Sequence, residues 1–255
     1  MLFINTRPSD RAANLTQALQ TAQIPVIELP LLELVQQPYT DELASLFRQL
    51  PQAKLIVVVS PTAAQIGMQY LQQAGLSLNN LGSVQWVAVG KATEQALASY
   101  GIQSYVPDVE TSEGMLQLPV LQQLATGSTV AFWRGEGGRQ FMMQHLKDQQ
   151  IHILNFILYD RQCPPVASEI LAKHLTSLEA NPRYAVLVSS EASWLNWLAL
   201  MQPYPHLINR ALYLVLGPRL AAMLGEYQQH HQAGFQFAQL EDLSGSTILQ
   251  QLLMY

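Results

Sequence analysis

The sequence predicts an α/β protein of two similar domains, each a parallel sheet covered by helices on both faces, with the second domain inserted into the first. Three observations predict it. Strand-like apolar runs and helix-spaced segments alternate strictly along the 255 residues, the pattern of parallel strands joined by right-handed crossovers. Turn residues recur in the same order in both halves: Ser60-Pro61-Thr62-Ala63 with Ser189-Ser190-Glu191-Ala192, Val89-Gly90-Lys91 with Leu216-Gly217-Pro218, and Ser112-Glu113-Gly114 with Ser244-Gly245-Ser246. Their offset is about 130 residues, too long for a solenoid repeat and the size of a duplicated domain. Last, the extended runs Ile24 to Leu34 and Ile151 to Arg161 are too long for one small sheet. They read as crossings near 28–36 and 155–163, which divide the chain into an outer domain, 1–34 plus 160–255, and an inserted domain, 35–159.

The elements follow in order. Strand Leu2-Phe3-Ile4 leads through Thr6-Arg7-Pro8 into a helix with Ala12, Leu15, Ala18 and Leu19 on one face, and Pro8 suits a first helical turn. After the first crossing, a helix over Asp41–Leu50 precedes Leu55-Ile56-Val57-Val58-Val59, a continuous apolar run that suits a parallel strand covered on both faces. A helix to Gln73, a strand over Val84–Gly90, a helix over Lys91–Tyr100 and a short strand over Ile102–Val106 come next. Thr111-Ser112-Glu113-Gly114 opens a helix that Pro119 bends or restarts. Strand Thr129–Trp133 then meets the turn Arg134-Gly135-Glu136-Gly137-Gly138-Arg139 and a helix-spaced stretch to Leu146. That strand, Arg-bearing turn, helix and strand repeat the plan of the N-terminus. The second half alternates again: helix Val166–Leu178, strand Tyr184–Val188, helix Glu191–Met201, strand Ala211–Leu216, helix Arg219–His230, strand Phe235–Phe237 and a closing helix over Ser244–Leu253.

Composition narrows the function classes. Hydrophobic residues make up 49% against 12% charged, so the chain is expected to bury substantial cores. A net charge of −5 offers no general attraction to nucleic acid or an acidic membrane surface. No apolar run is long enough to span a membrane, and Met1-Leu2-Phe3-Ile4 is too short for a signal peptide. The single cysteine, Cys163, has no partner for a disulfide and no companions at zinc-like spacing; beside two prolines it reads as inert. The expectation is a cytoplasmic protein without metal or cofactor.

The chemistry is expected in the turns. In an open parallel sheet, ligands bind beyond the carboxyl ends of the strands, where helices begin. Thr6-Arg7, Ser60-Pro61-Thr62, Gly90-Lys91, Arg134-Gly135, Ser189-Ser190 and Gly217 all fall there. Helix N-termini offer backbone N–H groups and partial positive charge to anions, and two such rims could hold a polyanionic ligand with few lysines. Any one of these serines or threonines taken alone reads as a helix cap and any one glycine as a tight turn. Arg7, Arg134 and Arg139 could pair with carboxylates, and Tyr159 ends the return crossing. Gly135-Glu136-Gly137-Gly138 departs from the dinucleotide-binding pattern, which weakens a nucleotide-dependent enzyme. A non-catalytic two-lobe binding or sensor protein for small anions remains the competing class.

Thr6-Arg7-Pro8, Ser60-Pro61 with Ala63, Val89-Gly90 with Thr93, Ser112-Glu113-Gly114, Arg134-Gly135 with Gly138-Arg139, Tyr159 and Gly217-Pro218, in this order and spacing, resemble the uroporphyrinogen-III synthase family over essentially the whole chain. The resemblance implies two flavodoxin-like α/β/α domains joined by a two-strand ladder. It also implies cyclisation of hydroxymethylbilane, a linear tetrapyrrole bearing eight carboxylates, with loss of water and inversion of ring D through a spiro intermediate. No cofactor or metal is implied; the expected partners are the tetrapyrrole and a transient hand-over from hydroxymethylbilane synthase to a monomeric enzyme. By the same resemblance Tyr159 is the tyrosine that assists hydroxyl departure, Thr93 a threonine at the substrate cleft, and Ser60, Ser189 and Ser190 rim positions where backbone N–H groups meet carboxylates. Many members carry threonines after Gly217-Pro218 where this chain has Arg219 and Leu220, so Arg219 is the group expected to meet a carboxylate there.

Overall fold

The computed structural model describes residues 1–137 and 140–255. The chain begins with β1 (Leu2–Asn5), α1 (Ser9–Thr21), β2 (Val26–Glu28), β3 (Glu33–Gln36), α2 (Asp41–Gln49), β4 (Leu55–Val58) and α3 (Pro61–Gln73). It continues through β5 (Gln85–Ala88), α4 (Lys91–Ala98), α5 (Ser112–Leu116), α6 (Pro119–Gln122), β6 (Thr129–Gly135), α7 (Phe141–Asp148) and β7 (His152–Gln162). The remainder holds α8 (Val166–Ala180), β8 (Tyr184–Val188), α9 (Glu191–Met201), α10 (Pro205–Ile208), β9 (Ala211–Leu216), α11 (Gly217–His231), β10 (Gln236–Leu240) and α12 (Gly245–Leu253). Two compact units result, one formed by Met1–Glu33 with Arg161–Tyr255 and the other by Leu34–Asp160.

The first unit carries a five-stranded sheet in the order β10-β9-β8-β1-β2, with parallel pairing throughout. Counted in chain order within the unit, that is 2-1-3-4-5 read from the β2 edge, the flavodoxin-like arrangement, whose switch point falls between β1 and β8. The second unit's sheet has the order β3-β7-β6-β4-β5, with β6 parallel to both β4 and β7, and β4 parallel to β5. Its β7-β6-β4-β5 core repeats the first unit's β2-β1-β8-β9, except that β6 and β7 follow β4 and β5 in the chain. The second plan is therefore a circular permutation of the first, and its switch point lies between β6 and β4.

Strand periodicity explains why both sheets read as unbroken apolar runs. Side chains alternate faces with a period of two, and each face here has its own helix layer. Ile56 and Val58 enter a cluster with Phe47, Tyr70, Trp133 and Phe156. Their neighbours Leu55 and Val57 enter another with Phe132, Met142 and Leu146 on the opposite face. The first unit does the same, with Leu2 and Ile4 on one side and Phe3 on the other. Each unit is thus three layers, α/β/α, as the alternating pattern predicts.

The run Ile24 to Leu34 passes from one sheet to the other as β2 and β3; Pro30 between them has no N–H for a ladder. Three elements differ from the sequence reading. The expected strand over Ile102–Val106 reduces to an isolated bridge, Val87 with Tyr105, held by Ala88 N–H to Tyr105 O (2.9 Å) and Tyr105 N–H to Trp86 O (2.8 Å). It occupies the position β10 holds in the first unit, and Pro107 follows directly. Arg134 and Gly135 are strand rather than turn, because β6 continues along β7 to pair Gly135 with Tyr159 after a register shift. The last strand runs later than expected, over Gln236–Leu240. Pro119 does restart the helix that Thr111 caps, giving α5 and α6.

Candidate active site

At the first unit's switch point the turn after β1 is locked by two buried polar residues. Asn5 is wholly buried; its Oδ1 accepts the Arg7 N–H (3.3 Å), and its Nδ2 donates to Ala12 O (3.2 Å) and Thr16 Oγ1 (3.1 Å). This is the short-range Asx bonding that favours turns. The Thr6 hydroxyl donates to the Leu187 carbonyl of β8, tying the turn across the two central strands. Arg7 is left half-buried at the end of β1. On the β8 side, Ser190 caps α9: its Oγ accepts Ser193 N–H (3.1 Å), and Ser193 Oγ in turn accepts Ser190 N–H (3.1 Å), a reciprocal capping box. The Ser190 hydroxyl and N–H are both engaged within their own turn, so an anion at this rim would meet the other N–H groups at the start of α9.

The second unit's switch point gathers more chemistry. Ser60 caps α3, its Oγ accepting Ala63 N–H (3.0 Å), ahead of Pro61 and Thr62 in the first turn. The same Oγ lies 3.0 Å from the phenol oxygen of Tyr159, which is only 1% exposed. Gly135 faces the Tyr159 ring directly: a β-carbon at Gly135 would overlap the ring atoms Cε2 and Cζ. Glu136 N–H donates to Tyr159 O (2.7 Å), fixing the backbone of β7 at the point where the ring is held. Arg134 is buried, and its guanidinium turns back on its own loop, donating to the carbonyls of Gly135 (3.2 Å) and Gly137, with Met143 Sδ at 3.7 Å. In this conformation Arg134 shapes the turn rather than projecting from it. Gly138 and Arg139, also expected at this turn, lie outside the described residues.

The β5 and β9 rims each engage an acidic side chain of their own unit. Lys91 N–H donates to Glu110 Oε1 (2.9 Å), so a carboxylate already sits at the start of α4, where positive helix-end charge favours it. Gly90 is buried at the cap of α4, and Thr93, 2% exposed, is in its first turn with its N–H bonded to Gly90 O (3.0 Å). In the first unit, Gly217 enters α11 with φ +74°, and Arg219 Nη1 lies 2.7 Å from Glu191 Oε2 on α9. Both partners of that pair are more than half exposed, which makes it a weak tie. The structure brings Ser60, Gly135 and Tyr159 together, and gives Lys91 and Arg219 carboxylate neighbours.

Sequence reasoning missed Asn5, Ser193 and Glu110. Asn5 has a signal of turn chemistry, an Asn directly after an apolar strand, whereas Glu110 lies on a loop 19 residues from Lys91 and carries none. The Cys163 thiol is pushed up by burial and then by Glu33, which disfavours the thiolate and agrees with an inert cysteine. Burial likewise raises the phenols of Tyr184 and Tyr213; both donate to core carbonyls, Leu207 O (2.6 Å) and Ile208 O (3.1 Å). Among the described residues no helix is long and apolar enough to cross a membrane.

Comparison with known proteins gives a consistent result. The family model described as "Uroporphyrinogen-III synthase HemD" matches residues 13–233. Uroporphyrinogen-III synthase of Salmonella typhimurium is 28% identical over 237 residues, covering 89% of this chain and 91% of that one. The Escherichia coli enzyme of the same name is 27% identical over 236 residues with the same coverage. Among solved structures, a mutant uroporphyrinogen III synthase from Thermus thermophilus aligns over 100% of this chain and 99% of its own with a TM-score of 0.68 at 16% identity. The Helicobacter pylori enzyme aligns over 99% and 98% with a TM-score of 0.55 at 13% identity. At those identities the structures speak for the fold, while the family match spans most of the sequence. The chain belongs to the uroporphyrinogen-III synthase family.

Proposed function

We propose that this chain closes hydroxymethylbilane to uroporphyrinogen III with Tyr159 as the donor that assists loss of the hydroxyl group. Family membership makes the chain a lyase of tetrapyrrole biosynthesis. The observation that carries the assignment of Tyr159 is its place at the second unit's switch point, phenol oxygen 3.0 Å from Ser60 Oγ and ring against Gly135. It is a donor kept from bulk water at the edge of the sheet where α/β proteins bind ligands.

Little conventional acid–base machinery is needed. The leaving hydroxyl sits on a carbon activated by a pyrrole ring: nitrogen electrons push towards that carbon, the C–O bond breaks with its pair on oxygen, and the oxygen departs as water once it gains a proton. A hydrogen bond to the departing oxygen stabilises the charge it develops. The harder task is orientation, because closure with ring D inverted must outrun direct closure of the same reactive intermediate. The turns supply the means. Backbone N–H groups at the starts of α3, α4, α9 and α11 suit the substrate's carboxylates, through Ser60 and Thr62, Gly90 and Lys91, the first turn of α9 after Ser189 and Ser190, and Gly217 and Arg219; Pro61, which has no N–H, presets the first turn of α3. Arg7 and Gly135 each border the switch point of their own unit, and Thr93 lines the α4 turn. Glu110 and Glu191 mark two places where a carboxylate is already accepted; a substrate arm binding there displaces them.

The test is product identity. The purified chain, given hydroxymethylbilane, is expected to yield predominantly uroporphyrin isomer III after oxidation and chromatographic separation. Only the spontaneous isomer I, from protein shown to be folded by circular dichroism, would leave a non-catalytic anion-binding protein as the better reading.

A further inference from the structure

We propose that Ser60 is a positioning residue for Tyr159, the middle link of a directed hydrogen-bond chain from the Ala63 amide through the Ser60 hydroxyl to the phenol. The proposal rests on the reading that Tyr159 serves the leaving hydroxyl, and adds to it the group that aims that donor. A serine hydroxyl has one proton and two acceptor sites. One acceptor site is taken by Ala63 N–H at 3.0 Å, the helix-cap bond. An amide can only donate, so this bond uses one acceptor site and leaves the Ser60 proton and the second acceptor site to face other partners. The Ser60 proton is then available to the phenol oxygen 3.0 Å away.

That direction matters chemically. If Ser60 donates to Tyr159, the phenol's own proton is turned away from Ser60, and a hydroxyl that accepts a hydrogen bond becomes a stronger donor through polarisation. The chain starts at the first turn of α3, a 13-residue helix, whose N-terminal partial charge polarises it in the same sense. Neither the cap nor the tyrosine implies this link on its own. Ser190, the counterpart cap in the first unit, has its hydroxyl engaged with Ser193 (3.1 Å), so the shared capping role does not by itself demand a tyrosine partner. Gly135 completes the arrangement by leaving room for the ring at the position the chain requires.

The experiment uses the full chain with Ser60→Gly, Ser60→Thr, Tyr159→Phe and the double variant Ser60→Gly with Tyr159→Phe. Glycine serves well as a helix cap, so Ser60→Gly removes the hydroxyl with little effect on folding, and thermal unfolding checks this. Rates of hydroxymethylbilane consumption and isomer III to I ratios are measured. Ser60→Gly is expected to lower kcat about tenfold with KM nearly unchanged, the effect of one well-placed hydrogen bond. Ser60→Thr, which keeps the hydroxyl and the cap, should restore most of that loss. The double variant should be no slower than Tyr159→Phe alone, because the serine acts only through the phenol.

Independent effects that multiply in the double variant would overturn the proposal, as would unchanged kcat in Ser60→Gly while Tyr159→Phe is slow. If Tyr159→Phe is itself as fast as the parent, or the parent makes no isomer III, the underlying assignment fails and this proposal falls with it; those two results are distinguishable from failure of the Ser60 link alone.

Discussion

Replacing Tyr159 with phenylalanine is expected to cut turnover by about a hundredfold, the usual loss when one preorganised donor to a developing charge is removed. The change deletes a single oxygen. The ring itself belongs to a buried cluster with Trp133, Phe156 and Leu158, and phenylalanine keeps that packing and the close fit over Gly135. Losing the bond to Ser60 costs about 1 kcal/mol, so the variant should unfold within a few degrees of the parent. Isomer selectivity should be affected less than rate, because orientation of ring D depends on the many carboxylate contacts and hydroxyl loss on one. Initial rates at saturating hydroxymethylbilane, read beside a thermal melt, check both halves. Full turnover from folded Tyr159→Phe protein would remove Tyr159 from the mechanism.

The contrast between Tyr159 and its neighbours shows what a sequence displays and what it withholds. Strands such as Leu55–Val58 and Tyr184–Val188 are legible because helices cover both faces, which leaves no position for a polar residue. The caps are legible for a similar reason: Ser60, Thr111, Ser190 and Ser244 each stand directly before a helix and accept from its first turn. The stretch over Ile102–Val106 misleads because an edge position needs only one bridge, and its apolar residues serve the core without a ladder. Arg134 differs in another way. At the head of a glycine-rich stretch it reads as part of a turn, whereas β7 runs far enough to hold it in the strand, and its guanidinium donates to carbonyls of its own loop. The Ser60 to Tyr159 contact joins residues 99 apart in the chain. No local spacing encodes such a pair; only the permuted sheet, which sets β4 beside β6 and β6 beside β7, brings them together.

That geometry depends on a close approach between α3 and β6, and Gly67→Ala is expected to break it. Gly67 lies midway along α3, directly over the Trp133 indole, and a β-carbon there would overlap ring atoms Cε3, Cζ3 and Cδ2. The indole cannot step aside: Trp86, Phe47 and Phe156 stand around it with ring centroids at 5.2, 6.1 and 6.5 Å, and Trp133 has no solvent exposure. Overpacking a rigid buried contact of this kind costs about 3 kcal/mol, which offsets any gain in helix propensity from alanine and should lower the melting transition by roughly 10 °C. Gly82→Ala is the control, since the nearest atom to a β-carbon there is 3.7 Å away; it should melt with the parent. The expected consequence extends to chemistry. Helix α3 begins at Ser60, and Trp133 is followed in β6 by Arg134 and Gly135, so pushing the helix off the strand separates the Ser60 cap from the Tyr159 phenol. Assayed well below its transition, the Gly67→Ala variant should therefore be slow as well as unstable, and should lose sensitivity to a second change at Ser60. A melt equal to that of Gly82→Ala would mean that the indole has room to yield, and that the spacing of helix and strand does not set the position of the tyrosine.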